Sequence, residues 1–306
     1  MYLKYSVSIL LSNLGLVFKT FLYSVCILLA AAAIGAGILV PTLKPVYEEI
    51  EADGYIDEVS DVTNGLLRDG NIAKASEEYT DIYNGVVEII RQHTGKLFFS
   101  YGYVVFLMLL VGFFKATFDY ASASLLNDYM SSKLRSRLMP KYLLMAGKSY
   151  GYAALKVLIS GALTAVIFLL LALFVRYTAP FINFFTATFA ILISILLLSL
   201  KFVLFADWLP NILNGDKVGD ALKKSVKDNT RLVFGNKFTT ALCFYTVMTI
   251  CVLTFTLTTF GFILLIIIPI STCLLRIMEL TNYYASVGNR FYTDDFTIKN
   301  PVKNIK

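Results

Sequence analysis

Three acid–base pairs stand beside long apolar runs: Lys115 with Asp119, Lys201 with Asp207, and Arg276 with Glu279. Ionisable groups within a membrane mark proton relays, ion paths or ligand sites. Depth and spacing bear on that reading here. Lys115 lies 17 residues from Phe98, Lys201 lies 20 from Phe181 and Arg276 lies 16 from Phe260. At the helical rise these are about 26, 30 and 24 Å, so all three cations fall near one boundary of a ~30 Å hydrocarbon core. Long side chains snorkel to headgroups there. The i+4 and i+3 spacings of two pairs also allow salt bridges within one helix. The sequence therefore favours a polar cluster at the cytoplasmic boundary in which at most one pair crosses between spans. Convergence of all six on a common site is the alternative.

Four further cations, Lys133, Arg135, Arg137 and Lys141, lie on a short stretch in which Met130, Leu134, Leu138 and Tyr142 form an i, i+4 apolar stripe. This pattern suits a helix lying in the interface with its cations toward anionic headgroups. A second such stretch sets Val218, Leu222 and Val226 against Lys217, Lys224 and Arg231. Asp128 and Asp216 stand where the N-caps of these two helices would be, and Pro140 should kink the first.

Other chemistry has little to draw on. His93 is the single histidine, and it reads as a surface residue. There is no Gly-x-Ser-x-Gly, His-Glu-x-x-His or Walker-type pattern, so no catalytic, cofactor or metal residue is assigned and no cofactor is expected. The acids Asp53, Asp57, Glu58 and Asp61 miss the EF-hand spacing and read as a solvated acidic face. Cys26, Cys243, Cys251 and Cys273 all fall in apolar runs without ligand spacing, as small packing residues do.

The elements that position these residues are apolar helices. Of 306 residues 57% are hydrophobic and 16% charged, well under the roughly 25% charged residues of a soluble domain. Six runs near the ~20-residue spanning length occur at about Thr20–Val40, Phe98–Phe118, Lys156–Val175, Phe181–Ala206, Phe238–Leu257 and Phe260–Thr281. The fold expected is an all-α polytopic membrane protein. The first run is too long for a typical signal-peptide core.

The polar stretch 41–97 holds twelve of the 21 acids and five of the 27 bases, a net charge of −7. Basic residues crowd 119–156, 207–237 and 276–306, all on the other side of a six-span arrangement. By the positive-inside rule both termini are then cytoplasmic in a cell membrane, and 41–97 is extracytoplasmic. The pI near 9 is a topology signal, and no nucleic-acid partner is implied. The domain expected is a single six-span unit over 1–306, with an acidic insertion at 41–97 and a cytoplasmic tail at 283–306.

Similar endings recur: "DYASASLLND" at 119–128, "DWLPNILNGD" at 207–216 and "YYASVG" at 283–288. Odd-numbered spans begin alike, with a lysine beside aromatic and aliphatic residues in "GLVFKTF", "YAALKVL" and "VFGNKFT". The unit is an interfacial helix plus a helical hairpin, written three times over 1–118, 128–206 and 216–282. The insertion 41–97 has helical periodicity, with turn signals at Asp53-Gly54, Asn64-Gly65 and Asp69-Gly70, and should form a cap of about three helices on extended first and second spans.

The stretch "LFADWLPNILNGDKVGDALKKSVKDNTRLVFGNKF" (204–238) resembles a recurring segment in a broad group of bacterial six-span proteins. These comprise the membrane domain fused to some glycerophosphodiester phosphodiesterases and its stand-alone relatives. Asp216, Ala221, Leu222, Lys223, Lys224, Ser225 and Phe234 carry the likeness. It spans about 35 residues and the six-span pattern. The phosphodiesterase catalytic domain and its His-Arg pair have no counterpart here, so that activity is not implied, and the long acidic insertion departs from the group.

These features point to a non-enzymatic scaffold or accessory subunit, with the lipid bilayer and its anionic headgroups as one partner and a protein at the extracytoplasmic cap as another. A transporter or permease with a pathway between the repeats is the alternative. Gly161 and Pro269 are the main mid-span interruptions and do not recur in register, unlike the broken helices of many transporters.

The topology is testable in a background lacking the four natural cysteines. Cysteine placed at Ser60 should react with an impermeant thiol reagent in intact cells, whereas cysteine at Ser132 should not. Labelling at Ser132 alone would reverse the orientation.

Overall fold

The computed structural model describes residues 2–69, 71–178, 184–230, 235–259 and 264–299. The helices are α1 (Tyr2–Ser12), α2 (Leu14–Ala52), α3 (Tyr55–Asp69), α4 (Ile72–Gln92), α5 (Thr94–Ser132), α6 (Leu138–Leu144), α7 (Ala146–Thr178), α8 (Phe184–Phe205), α9 (Trp208–Leu213), α10 (Val218–Thr230), α11 (Asn236–Thr259) and α12 (Leu264–Val287). A two-stranded hairpin, β1 (Phe291–Tyr292) and β2 (Ile298–Lys299), follows. Six helical segments are long and apolar enough to cross a membrane. Their middle turns leave Leu28, Phe106, Leu169, Leu192 and Ile250 exposed, an arrangement that suits hydrocarbon and not water. The chain is an all-α polytopic membrane protein.

The helices group into two compact units, Ile27–Val111 and Met1–Cys26 with Gly112–Lys306. The first is wider than the polar stretch 41–97, because α2 runs through Pro41 and Pro45 as far as Ala52. Gly54 then adopts a positive φ of 79°, the turn expected at Asp53-Gly54. Asn64-Gly65 does not end a helix; both residues lie inside α3. Asp69 is the last residue of α3, and Gly70 falls outside the described residues. Asn71 caps α4 by accepting from the Lys74 backbone N–H at 3.2 Å. Helix α4 stops at Gln92 instead of continuing into α5. His93 at this break is no free surface residue: its Nε2 lies 2.6 Å from Glu49 Oε2.

The second unit is most deeply packed at one end of its helices. One core gathers Ile9, Tyr129, Met130, Phe244, Met278 and Tyr284; the other gathers Tyr120, Tyr152, Trp208, Leu209, Ile212 and Ala221. Short helices contribute to both: α1 packs on α12, and α10 on α8 and α9. The motif 207–216 folds into the buried one-and-a-half turns of α9. The motif 119–128 stays inside α5, because its small Ala and Ser residues allow close packing and nothing stops the helix before Lys133.

Four local expectations are therefore corrected. Asp128 is not an N-cap, since it lies within α5, and 130–145 is not one helix but the end of α5, an extended link and the seven-residue α6. Lys133 takes φ 58°, the left-handed position that ends many helices, and its side chain is held by the Asp295 carbonyl and the Tyr292 ring 4.7 Å away. Pro140 sits in the first turn of α6, where no N–H is needed, and so does not kink it. Asp216 likewise precedes α10 and instead accepts from Lys224 Nζ at 3.1 Å, a partner that raises the Lys224 pKa.

The segment after α12 is anchored. Phe291 is 2% exposed between Tyr5 and Tyr284, and Asp294 fixes the hairpin turn by accepting from the backbone N–H groups of Phe296 and Thr297. Those donors hold the Asp294 carboxyl below the usual range.

Trp208, the single tryptophan, joins the second core. Its ring meets Tyr152 edge-on at 4.9 Å and its Nε1 donates to the Val218 carbonyl at 3.0 Å. Trp208→Ala should destabilise the protein by roughly 3–5 kcal/mol. The thermal midpoint in a fixed bicelle composition reads this, and an unchanged midpoint would show that α9 is not part of the core.

Candidate functional site

Asp119 is the centre of the charged site. On α5 it is 2% exposed, a burial that a carboxylate tolerates only with close cationic or hydrogen-bonding partners. Its Oδ2 receives Lys156 Nζ of α7 at 2.7 Å and Arg276 Nη2 of α12 at 2.9 Å. Arg276 reaches on to Glu279 one turn along α12. Four charges from three helices thus form one chain, Lys156–Asp119–Arg276–Glu279. Lys156 also stands 5.3 Å from the Tyr152 ring centroid, a cation–π distance.

A second clamp uses the same chemistry. Lys237 of α11 pairs with Asp207, between α8 and α9, and donates to Asn229 Oδ1 of α10 at 2.8 Å. Asn229 in turn contacts Ser225, which donates to the Leu204 carbonyl. In both clamps the acid follows one apolar run of the sequence and the lysine stands at the start of the next.

Beside the first clamp lies a cavity of about 170 Å³ between α7, α8, α11 and α12. Lys156, Lys201, Arg276 and Glu279 supply its charges, and Phe205 and Trp208 part of its apolar wall. Lys201 Nζ donates to the Ser160 carbonyl at 3.2 Å and to Thr164 Oγ1 at 2.6 Å, both on α7.

Asp119, Lys201, Arg276 and Glu279 of the six paired candidates are therefore brought together. Lys115 is exposed on α5 and makes no salt bridge with Asp119, and Lys201 makes none with Asp207. Arg276–Glu279 is the one expected pair formed within a helix. Among the six candidates one pair, Asp119–Arg276, crosses between helices, as expected; the other crossing pairs recruit lysines outside that set. Asp119–Lys156, Asp119–Arg276 and Asp207–Lys237 all cross, because a buried carboxylate draws cations from whichever helices face it.

The candidate headgroup residues lie elsewhere. Lys133 and Arg135 engage Asp295, Arg135 at 2.8 Å, and Lys141 pairs with Asp128 at 2.6 Å. Arg137 is exposed. Three of the four thus have intramolecular acceptors. Sequence reasoning missed Lys156 and Lys237 as partners, although both stand at the starts of apolar runs. It gave no signal for Tyr152, Ser160 or Thr164. Among the described residues no cluster of three or more His, Cys, Asp or Glu side chains could hold a metal ion.

No family model matches the chain, and no curated protein or solved structure matches it.

The two kinds of charge should respond differently to removal. Asp119→Leu strands Lys156, leaves Arg276 with Glu279 alone and should cost roughly 3–5 kcal/mol, with little folded protein recovered. Lys201→Leu removes a cation bound to neutral oxygens, strands no carboxylate and should leave the yield of monodisperse protein nearly unchanged. Equal losses in the two variants would refute the distinction.

Proposed function

We propose that this is a non-enzymatic integral membrane protein, a scaffold or accessory subunit of a cell membrane. Its bundle is a fixed frame, and its acidic segment 41–97 is the part offered to a protein partner outside. The observation that carries the reading is the engagement of the buried charges. Asp119 with Lys156 and Arg276, and Asp207 with Lys237, bind across helices, and Glu279 holds Arg276 within α12, which locks the helices in register and leaves these groups poorly placed to relay protons or pass ions. Exposed acids on α3, among them Asp57, Glu58 and Asp61, give the segment a charged face without an ion-pair partner among the described residues.

The threefold repeat belongs to the same proposal. Helix α10 packs on α8, α1 packs on α12, and Tyr142 and Ser149, flanking the α6–α7 junction, both bond Thr117 of α5. Each short helix thus meets the returning span before it, the first meeting the last, as a cyclic repeat would have it. The likeness of 204–238 to the membrane domain of glycerophosphodiester phosphodiesterases suits a frame of this kind, and cytoplasmic termini follow from the basic clusters.

A transporter or permease is the second reading, favoured by the charged cavity between α7, α8, α11 and α12. Extraction in native-membrane discs separates the two. A scaffold should carry a second polypeptide in fixed ratio, lost on Asp57→Lys with Glu58→Lys and Asp61→Lys, and kept in Lys201→Leu. A chain that runs alone, and that moves solute in proteoliposomes in a Lys201-dependent way, would overturn the proposal.

A further inference from the structure

We infer that the cavity between α7, α8, α11 and α12 is a binding site for one phosphate-type oxyanion. The first argument is charge. The cavity and its clamp bring together three cations, Lys156, Lys201 and Arg276, and two carboxylates, Asp119 and Glu279. Asp119 is committed to Lys156 and Arg276, and Glu279 to Arg276. Lys201 alone has no carboxylate among the described residues, and its two acceptors are neutral. An uncompensated positive charge within a membrane-spanning bundle is costly, and a bound anion offsets it.

The second argument is donors. An ammonium group has three protons, and Lys201 spends two on Ser160 and Thr164. Arg276 is a lining residue of the same cavity, and its Nε is buried with no hydrogen-bond partner among the described residues. A tetrahedral oxyanion with several acceptor oxygens answers both, through short charge-assisted bonds.

The third argument is shape. About 170 Å³ corresponds to roughly five or six water volumes, enough for an oxyanion and a short organic extension. The lining also includes Phe202, Phe205 and Trp208, so the group attached to the oxyanion meets apolar surface. Two sources share this chemistry, an acidic lipid headgroup and a small soluble phosphate. The inference does not rest on the scaffold reading.

Trp208, the only tryptophan, lines the cavity and reports on it directly. The full chain is placed in phosphatidylcholine nanodiscs, and its fluorescence is followed in two arms. One arm raises the phosphatidylglycerol content of the discs; the other adds inorganic phosphate or glycerol 3-phosphate to neutral discs. A saturable change is expected in at least one arm. A response to lipid alone assigns a headgroup, and a response to soluble phosphate assigns a free ligand. Lys201→Gln should weaken that response about tenfold or more, while Lys201→Arg should keep it within a few-fold. Thermal midpoints of both variants confirm that the bundle remains folded. No saturable response in either arm would overturn the inference, as would a response that Lys201→Gln leaves unchanged while the midpoint holds.

Discussion

A carboxylate cannot be left alone in an apolar bundle, and the arrangement around Asp119 follows from that constraint. The two cations that satisfy it come from positions 37 and 157 residues away in the chain. Helices α5, α7 and α12 must therefore meet at one level, in one register. Once they do, Tyr120 and Tyr152 face each other, Trp208 closes on Tyr152, and α9 and α10 have a floor to pack on. Hydrophobic surface alone would not select this register. In lipid the exposed leucines of the spans are as well placed in one rotation as in another, so polar contacts and close packing decide which faces turn inward.

The Asp207–Lys237–Asn229 clamp repeats the solution between the next pair of spans. The two clamps differ in kind from Lys201. Lys156, Lys237 and Arg276 neutralise acids and so belong to the frame. Lys201 is held in place by neutral oxygens and keeps its charge free. One bundle thus carries both a structural use of buried charge and a site where charge is available to something else. The acidic unit 27–111 has its own internal contacts, including His93 to Glu49 and Tyr103 to the Ile34 carbonyl, and contains none of these charges.

Much of the fold was legible because the bilayer constrains it tightly. Apolar runs of spanning length gave the helices, and periodicity together with Asp53-Gly54 placed α3 and α4 within the insertion. The misses have physical causes. Asn64-Gly65 stays helical because a single Gly in a helix interior costs only about 1 kcal/mol. The stretch 130–145 breaks because Lys133 finds partners in Asp295 and Tyr292, residues that no local pattern could foresee. At the site, depth along a single helix favours snorkelling for Arg276. The structure turns Arg276 inward because Asp119 and Glu279 wait there. Lys156 and Lys237 stand at the beginnings of apolar runs, but sequence gives no distance between helices. Pairing them with Asp119 and Asp207 required the fold.

The central claim is that Asp119 and Lys156 act as a unit. A double-mutant cycle with Asp119→Leu and Lys156→Leu, read as unfolding free energy in one bicelle composition, tests it most directly. If the claim holds, the double variant loses less than the sum of the single losses, by about 0.5–3 kcal/mol, because removing both partners leaves fewer stranded charges and keeps the Arg276–Glu279 pair. Strict additivity of the two losses would show that the pair is incidental and that the spans are held in register by something else.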